Sequence, residues 1–444
     1  MDHWLGEGRI DSEKGFRLFN VAWLLQVAKS AVFSVKGQQT DARVQYGFLM
    51  SRLQDTPAEL VFRERLREWL VDHAPAIAKH DVQALKTWQK ELYEGGWLGL
   101  TWPSEYGGQG LGFREQVIFN EESARAKVPP SVNSIGLMIA GPTLIAVGSE
   151  KQKKRYLKPM LTAEEIWCQG FSEPNAGSDL AALQTRAISD GDDYIVTGQK
   201  IWTSNSLISD YIWLLVRTDT EAPRHKGITA LIVDMHSPGV SVKPLRQMTG
   251  EAEFGEVFFD EVRVPKSNRV GAENDGWIIG MKTFTRERAN ISVSLSVRLQ
   301  QQFDRLLESV RGRDIPLDPQ QAREVAQAYV DSECLTMTCE RLAERLFGFE
   351  SSVVKVAWAE MNQRLQEIGL STLGPDAPLL PGGGFDDADD SATWGTETLS
   401  DGVESFAKSW QFGYLRSRAN TIEGGTSEIL RSVIAERVLG LPRK

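Results

Sequence analysis

The 444-residue chain predicts an α+β protein in three parts: a helical N-terminal domain, a middle antiparallel β domain and a C-terminal helical bundle. Apolar residues recur near a 3.6-residue period from about residue 57. The middle third switches to short runs rich in Val, Ile, Trp and Phe, and the helical period returns from Gly276. Two or three packed domains are expected at this length, and 41% apolar with 25% charged residues describes a globular chain. The expected boundaries are 1–56 (an extension of unassigned role), 57–163, 164–272 and 273–444, with a loop at 374–396.

The first element is the apolar run "VAWLLQVAKSAVFSV" from Val21. It is short for a bilayer span and contains Lys29, so it reads as an amphipathic helix. Residues 1–49 lack both the Arg-rich composition of a transit peptide and the cleavage site of a secretory signal. They read as an appendage, with a partner-binding or membrane-surface helix as the alternative. Next, "ELVFRERLREWLVDHA" sets Leu60, Phe62, Leu66, Leu70 and Val71 near one helical period, and "VQALKTWQKELYEGGWL" repeats the theme. The glycines of "LTWPSEYGGQGLG" follow Pro103 without GxGxxG spacing and mark a turn rather than a dinucleotide loop.

The β runs are "DDYIVTGQKIWTSN", "DYIWLLVRTD", "GITALIVDM", "GVSVKPLRQM" and "GEVFFDEVRVP", with no helical pattern between them. That order argues against a parallel Rossmann sheet and for a small barrel or sandwich. From Gly276 the helical period runs to about Val310, continues from Asp318 through Leu373 and resumes near Leu430, while "GPDAPLLPGGGFDDADD" marks an exposed loop.

Composition excludes several functions. A net charge of −10 offers no basic face to nucleic acid. Cys168, Cys334 and Cys339 are odd in number and have no CxxC spacing, which fits a reducing, cytoplasmic compartment. The five histidines are scattered without HExxH pairing, so no metal site is expected.

Two β-domain motifs carry chemistry. In "CQGFSEPNAGSDL", Gly177, Ser178 and Asp179 follow a Pro-Asn turn whose backbone N–H groups suit a phosphate or a polar ring edge. In "IWTSN", Trp202 offers an aromatic face and Ser204 a hydroxyl. Either motif alone has a structural explanation, as a tight turn or a half-buried strand aromatic. In the order "WPSEYGGQGLG", "SEPNAGSD", "IWTSN", "FDEVRVP" and "GGTSEILRSVIAERVLG", however, the chain resembles the acyl-CoA dehydrogenase family over residues 57–444.

The resemblance implies FAD bound noncovalently between the β domain and the C-terminal helices and across a subunit interface. It also implies removal of two hydrogens from an acyl-CoA thioester, with electrons passed to an electron-transferring flavoprotein. By the same resemblance, Gln169 to Ser178 line the flavin, with Phe171 and Ser172 near its pyrimidine side. Gly177 is among these cofactor-binding residues, and Ser178 reaches a flavin phosphate or the acyl-CoA. Trp202, Thr203 and Ser204 pack on and bond the ring, and Thr426 and Glu428 touch the ADP half.

Abstracting a proton beside a thioester carbonyl requires a nearby carboxylate, and the developing enolate requires a donor such as a backbone N–H. Ungapped matching from Thr426 places Gly424 where many relatives carry the catalytic glutamate, and Glu423 falls one residue early. Gly424 can still supply its N–H. The first candidate base is Glu287, at the helix position used by the isovaleryl-CoA and long-chain acyl-CoA branches; the second is Glu423. On a helix, Gly280, Thr283, Glu287 and Asn290 or Ile291 share a face. Thr285 and Arg288 match positions near the thioester. A closed apolar pocket would raise the pKa of Glu287.

The segments by which many relatives grip the neighbouring subunit's FAD are replaced here by "LLESVRGRDIPLDPQQ" and "LSTLGPDAPLLPGGG". A homodimer, a homotetramer and a heteromer with a related subunit therefore all remain open. Two further readings stand beside the dehydrogenase: an oxygen-using oxidase or monooxygenase of the same fold, and a noncatalytic partner subunit.

Overall fold

The computed structural model describes residues 55–75, 81–313, 315–343, 348–379 and 409–443, with backbone alone at 285–291, 293 and 343. The expectations for residues 1–49, and most of the loop expected at 374–396, lie outside the described residues.

The N-terminal helices are α1 (Pro57–His73), α2 (Val82–Glu94), α3 (Phe113–Arg125), α4 (Gly141–Val147) and α5 (Glu150–Leu161). Pro57 and a reciprocal cap between Thr56 and Glu59 start α1. Of the stripe expected on α1, Leu66 and Leu70 are buried and Phe62 packs at the core edge, but Leu60 and Val71 are exposed. Trp69 joins Phe62 at the core edge, and Arg63 occupies the flank. It bonds Asp55, Glu121 and Glu122 at 2.6, 2.8 and 2.6 Å.

The β domain comprises β1 (Trp167–Gly170), β2 (Arg186–Asp190), β3 (Asp193–Ser204), β4 (Tyr211–Arg217), β5 (Ile228–Asp234), β6 (Val240–Leu245), β7 (Phe254–Pro265) and β8 (Arg269–Val270). They form one sheet in the order β6-β7-β3-β2-β4-β5-β8, with β1 paired to β4. The sheet is mixed rather than wholly antiparallel, since β1 and β2 both run parallel to β4. Chain lies between each of these strands and β4, so no tight hairpin forces the opposite direction. The run on β4 is buried on both faces. Trp213 and Leu215 face the core shared with the N-terminal helices, while Ile212, Leu214 and Val216 face the far side.

The C-terminal part contains α6 (Gly276–Arg311), α7 (Pro319–Ala343), α8 (Ser351–Ser371), α9 (Trp410–Ser417) and α10 (Ser427–Val433). The period running from Asp318 to Leu373 is split into two helices, with Gly348 between them, because glycine is a poor helix former. The sequence pattern passes over α9, which spans only eight residues and contains Gly413. Residues of α6, α7, α8 and α9 share one apolar core. No described helix is long and apolar enough to cross a membrane.

Candidate active site

Both β-domain motifs lie side by side. Gln169 is on β1, and the chain leaves the strand at Phe171 and Ser172. It then turns through Glu173 and Ala176, which exchange backbone hydrogen bonds of 3.2 and 3.0 Å. Gly177, Ser178 and Asp179 stand exposed beyond the turn, and a Cβ on Gly177 would meet nothing within 4 Å. The backbone N–H of Ile201 donates to the Ser172 carbonyl at 2.9 Å, which joins the two motifs.

A buried ion pair fixes that junction. Lys200 is fully buried and donates to the Phe171 carbonyl at 3.1 Å and to Glu173 at 2.8 Å. Glu173 also accepts from the backbone of Gln184 at 2.6 Å and of Thr185 at 2.8 Å. Burial works against the carboxylate, but Lys200 and these N–H groups outweigh it and hold its pKa below the usual range. Burial depresses Lys200 to about 8 despite Glu173. The pair is charged at neutral pH, and the lysine is the member that yields first. Sequence reading missed both residues, although a lysine immediately before Ile201 and Trp202 in a strand was the available signal.

Past Lys200 the register of β3 against β7 shifts, and Trp202 adopts a left-handed φ of 59°. Such a conformation is uncommon for a bulky residue and persists only where its surroundings hold it. The bulge turns the indole outward: Trp202 is 55% exposed and meets Phe254 edge to face at 5.9 Å. Thr203 is buried beside it with an Oγ1 that has no hydrogen-bond partner among the described residues; Ser206 Oγ and Ser427 Oγ are in the same condition. Ser204 is half-buried.

The terminal loop reaches this face through one arginine. Arg416 on α9 lies 5.9 Å over the Phe254 ring and pairs with Glu253 at 2.8 Å and with Glu423 at 3.1 Å. Asn420 Nδ2 donates to Glu423 at 2.8 Å, so both oxygens of that carboxylate are engaged. Gly424 and Gly425 follow with φ of 64° and 101°, the second a conformation that favours glycine. Lys355 of α8 donates to the carbonyls of Asn420 at 2.7 Å and Gly425 at 2.8 Å, clamping the loop at both ends. Thr426 caps α10 by accepting from the Ile429 N–H. Glu428 is exposed in the first turn of α10, with its pKa lowered by its own backbone N–H and the Thr426 hydroxyl. Neither of these two makes a described contact with the β-domain motifs.

Glu287 falls in α6, as do Thr285 and Arg288, but their side chains lie outside the described residues. One turn before Glu287, Phe284 packs edge to face on Phe171 at 5.5 Å. The same turn holds Thr283, buried and 3.3 Å from Thr143 of α4, and Gly280, where a Cβ would come 3.2 Å from Leu215. Of the expected face, Gly280 and Thr283 thus pack inward against the sheet and α4, while the side chains at 287, 290 and 291 lie outside the described residues. Cys168 sits on β1 with its thiol pushed up to about 12 by burial, which makes it inert.

An exposed indole, a buried hydroxyl lacking a partner and an open glycine turn on one face suit a flat cofactor with polar edges and phosphates. They fit FAD. Comparisons with known proteins agree with this architecture. The acyl-CoA dehydrogenase N-terminal, middle and C-terminal domain profiles match residues 56–164, 168–262 and 274–439. Acyl-CoA dehydrogenase IpdE1 of Mycobacterium tuberculosis (strain ATCC 25618 / H37Rv) is 36% identical over 399 residues, covering 86% of this chain and 98% of its own length. Mitochondrial isovaleryl-CoA dehydrogenase of Pongo abelii is 34% identical over 50% of this chain and 54% of its own. Among solved structures, the Tcur3481-Tcur3483 steroid ACAD superposes with a TM-score of 0.72 at 31% identity, covering 88% of this chain and 100% of that one. The ChsE4-ChsE5 complex from Mycobacterium tuberculosis gives 0.72 at 29% identity over 88% and 100%. Members of this family are oxidoreductases of acyl-CoA metabolism and are generally FAD-dependent, and with all three domain profiles matched in order, this chain belongs to the acyl-CoA dehydrogenase family.

Proposed function

We propose that this chain binds FAD and catalyses α,β-dehydrogenation of an acyl-CoA thioester, with Glu287 as the base. The observation that carries the reading is the Phe171–Phe284 contact at 5.5 Å, which sets the first flavin-lining motif against α6 one turn from Glu287. Glu287 lies three residues beyond Phe284 in α6, and that position is the ground for assigning it the role. Glu423 is the weaker candidate. Its two oxygens are engaged by Arg416 and Asn420, and abstracting a proton there would require breaking that pair.

Gln169, Phe171, Ser172, Gly177 and Ser178 would line the cofactor from one side and Trp202, Thr203 and Ser204 from another. Thr426 and Glu428 are assigned to its ADP half. When bound, FAD supplies the hydride acceptor. Glu287 takes the proton from the carbon beside the thioester carbonyl, while the Gly424 N–H is placed to donate to the carbonyl oxygen as negative charge develops. Thr285 and Arg288 orient the thioester. Trp202 and Phe254 keep water from the reacting face. The product is the enoyl-CoA, and an electron-transferring flavoprotein is the assigned acceptor.

The two-component names of the steroid ACAD and of the ChsE4-ChsE5 complex support two further assignments, a related partner subunit and a ring-bearing acyl group. Purification with and without the neighbouring related subunit tests the first: yellow protein only in the pair supports it, and saturated flavin in this chain alone excludes it.

Glu287→Gln should leave flavin absorbance intact and slow its bleaching by acyl-CoA about 10²- to 10⁴-fold, the usual weight of a general base. Glu423→Gln should retain bleaching. Unchanged reduction in the first variant, or loss confined to the second, moves the base to the loop. Rapid reoxidation of the reduced protein in air would instead identify an oxidase.

A further inference from the structure

A cavity of about 210 Å³ opens between α6, α8 and the start of α9, lined by Arg298, Gln302, Arg305, Trp358, Asn362 and Gln366 among others. It has room for a group of several heavy atoms and contains no acid in its lining. Three of its side chains carry unused hydrogen-bonding capacity. Trp358, 8% exposed, has an indole N–H with no acceptor among the described residues, and Gln366, 3% exposed, has an Oε1 with no donor among them. Arg298 forms no hydrogen bond or ion pair among the described residues. Its nearest acids, Glu423 and Glu253, act on it only through space, and both are already held by Arg416.

The two arginines differ. Arg305 stacks on Trp410 at 4.2 Å, whereas Arg298 has no such support. Arg298 is solvent-exposed where it lines the cavity. Burial draws its pKa below the ordinary arginine value, and Glu423 and Glu253 offset this only in part and through space. A buried donor, a buried acceptor and a cation that no described acid bonds, around one cavity, are complementary to an anion with both acceptor and donor edges.

We propose that this cavity binds a carboxylate, received by the Arg298 guanidinium with the Trp358 N–H as second donor. Arginine matches the planar two-oxygen geometry of a carboxylate, and charge-assisted bonds of this kind are the strong ones. Gln366 Oε1 accepts from a hydroxyl or a protonated oxygen of the same ligand. The carboxylate belongs either to a free organic acid or to the remote end of an acyl group. The charges of Arg416 and Glu423 act on Arg298, and Arg416 lies over Phe254, whose ring meets Trp202. Only the acyl-group source depends on the dehydrogenase reading.

The test uses the full chain with its flavin and any partner subunit. Calorimetric titration measures adipate against sodium chloride of equal ionic strength, and adipoyl-CoA against hexanoyl-CoA. Saturable binding of adipate identifies a free-acid site. Binding of adipoyl-CoA at least about ten-fold tighter than hexanoyl-CoA, without adipate binding, identifies the acyl terminus. In either case Arg298→Gln removes the preference, and Trp358→Phe, which keeps an aromatic in the bundle core, weakens it several-fold. The proposal is overturned if neither carboxylate is distinguished from its control, or if the preference survives in Arg298→Gln and Trp358→Phe alike.

Discussion

Lys200 and Arg298 are both cations whose pKa burial lowers, and their settings are opposite. Lys200 has no exposure and is closed by a carbonyl and a carboxylate that accepts two further backbone N–H groups. Arg298 sits at a cavity mouth with no such acceptor. The difference separates a cation that holds the fold from one left open to bind. Lys355 belongs with the first kind, since its ammonium spans the Asn420 and Gly425 carbonyls and so fixes the loop carrying Gly424.

The sharpest way to break this contrast is to remove each cation in turn. Lys200→Met strands the Glu173 carboxylate in the interior, and breaking a buried pair from one side costs about 3–5 kcal/mol. Urea denaturation measures it, and pairing the change with Glu173→Leu should recover much of the loss. Lys355→Met deletes two charge-assisted bonds to carbonyls and should cost about 2–4 kcal/mol by the same measurement, with the terminal loop cleaved faster by protease. Arg298→Gln removes no partnered group and should change stability by about 0.5 kcal/mol or less. A loss comparable to that of Lys200→Met would show that Arg298 is structural and dissolve the comparison.

The pH dependence sharpens it further. As the pH rises through about 8, folded Lys200 releases its proton, while the unfolded chain holds one up to the ordinary 10.5. Between these values unfolding takes up a proton, so the contribution of this group to stability rises with pH. Glu173 loses its counter-charge in the same window, which lies directly beneath Phe171 and Ser172. The flavin absorbance of wild-type protein should therefore shift in a step near pH 8 that is absent from Lys200→Met.

Much of this was legible in the sequence because the signals are local. The 3.6-residue period near Leu66 and Leu70 and the β-branched runs of the middle third need only neighbouring residues to be read, and the domain order and motif positions followed from them. The same locality explains the misreadings. Leu60 and Val71 keep the period of α1 yet face water, because burial depends on which flank a second helix covers. The sheet proved mixed because strand direction depends on the connection and not on composition.

At the site, sequence alone determined that "IWTSN" and "SEPNAGSD" belong together, and that Gly424 leaves the terminal loop without a carboxylate at the usual position. Only the tertiary structure decided that Trp202 turns outward at a strand bulge, that Lys200 closes on Glu173, and that Arg416 occupies Glu423. It also decided that Arg298 has no bonded partner among the described residues. Each of these depends on groups between seven and more than a hundred residues apart in the chain meeting at hydrogen-bonding distance or failing to meet. Short-range residue preferences do not encode such encounters, and a charge acquires its role from the partner that packing brings to it.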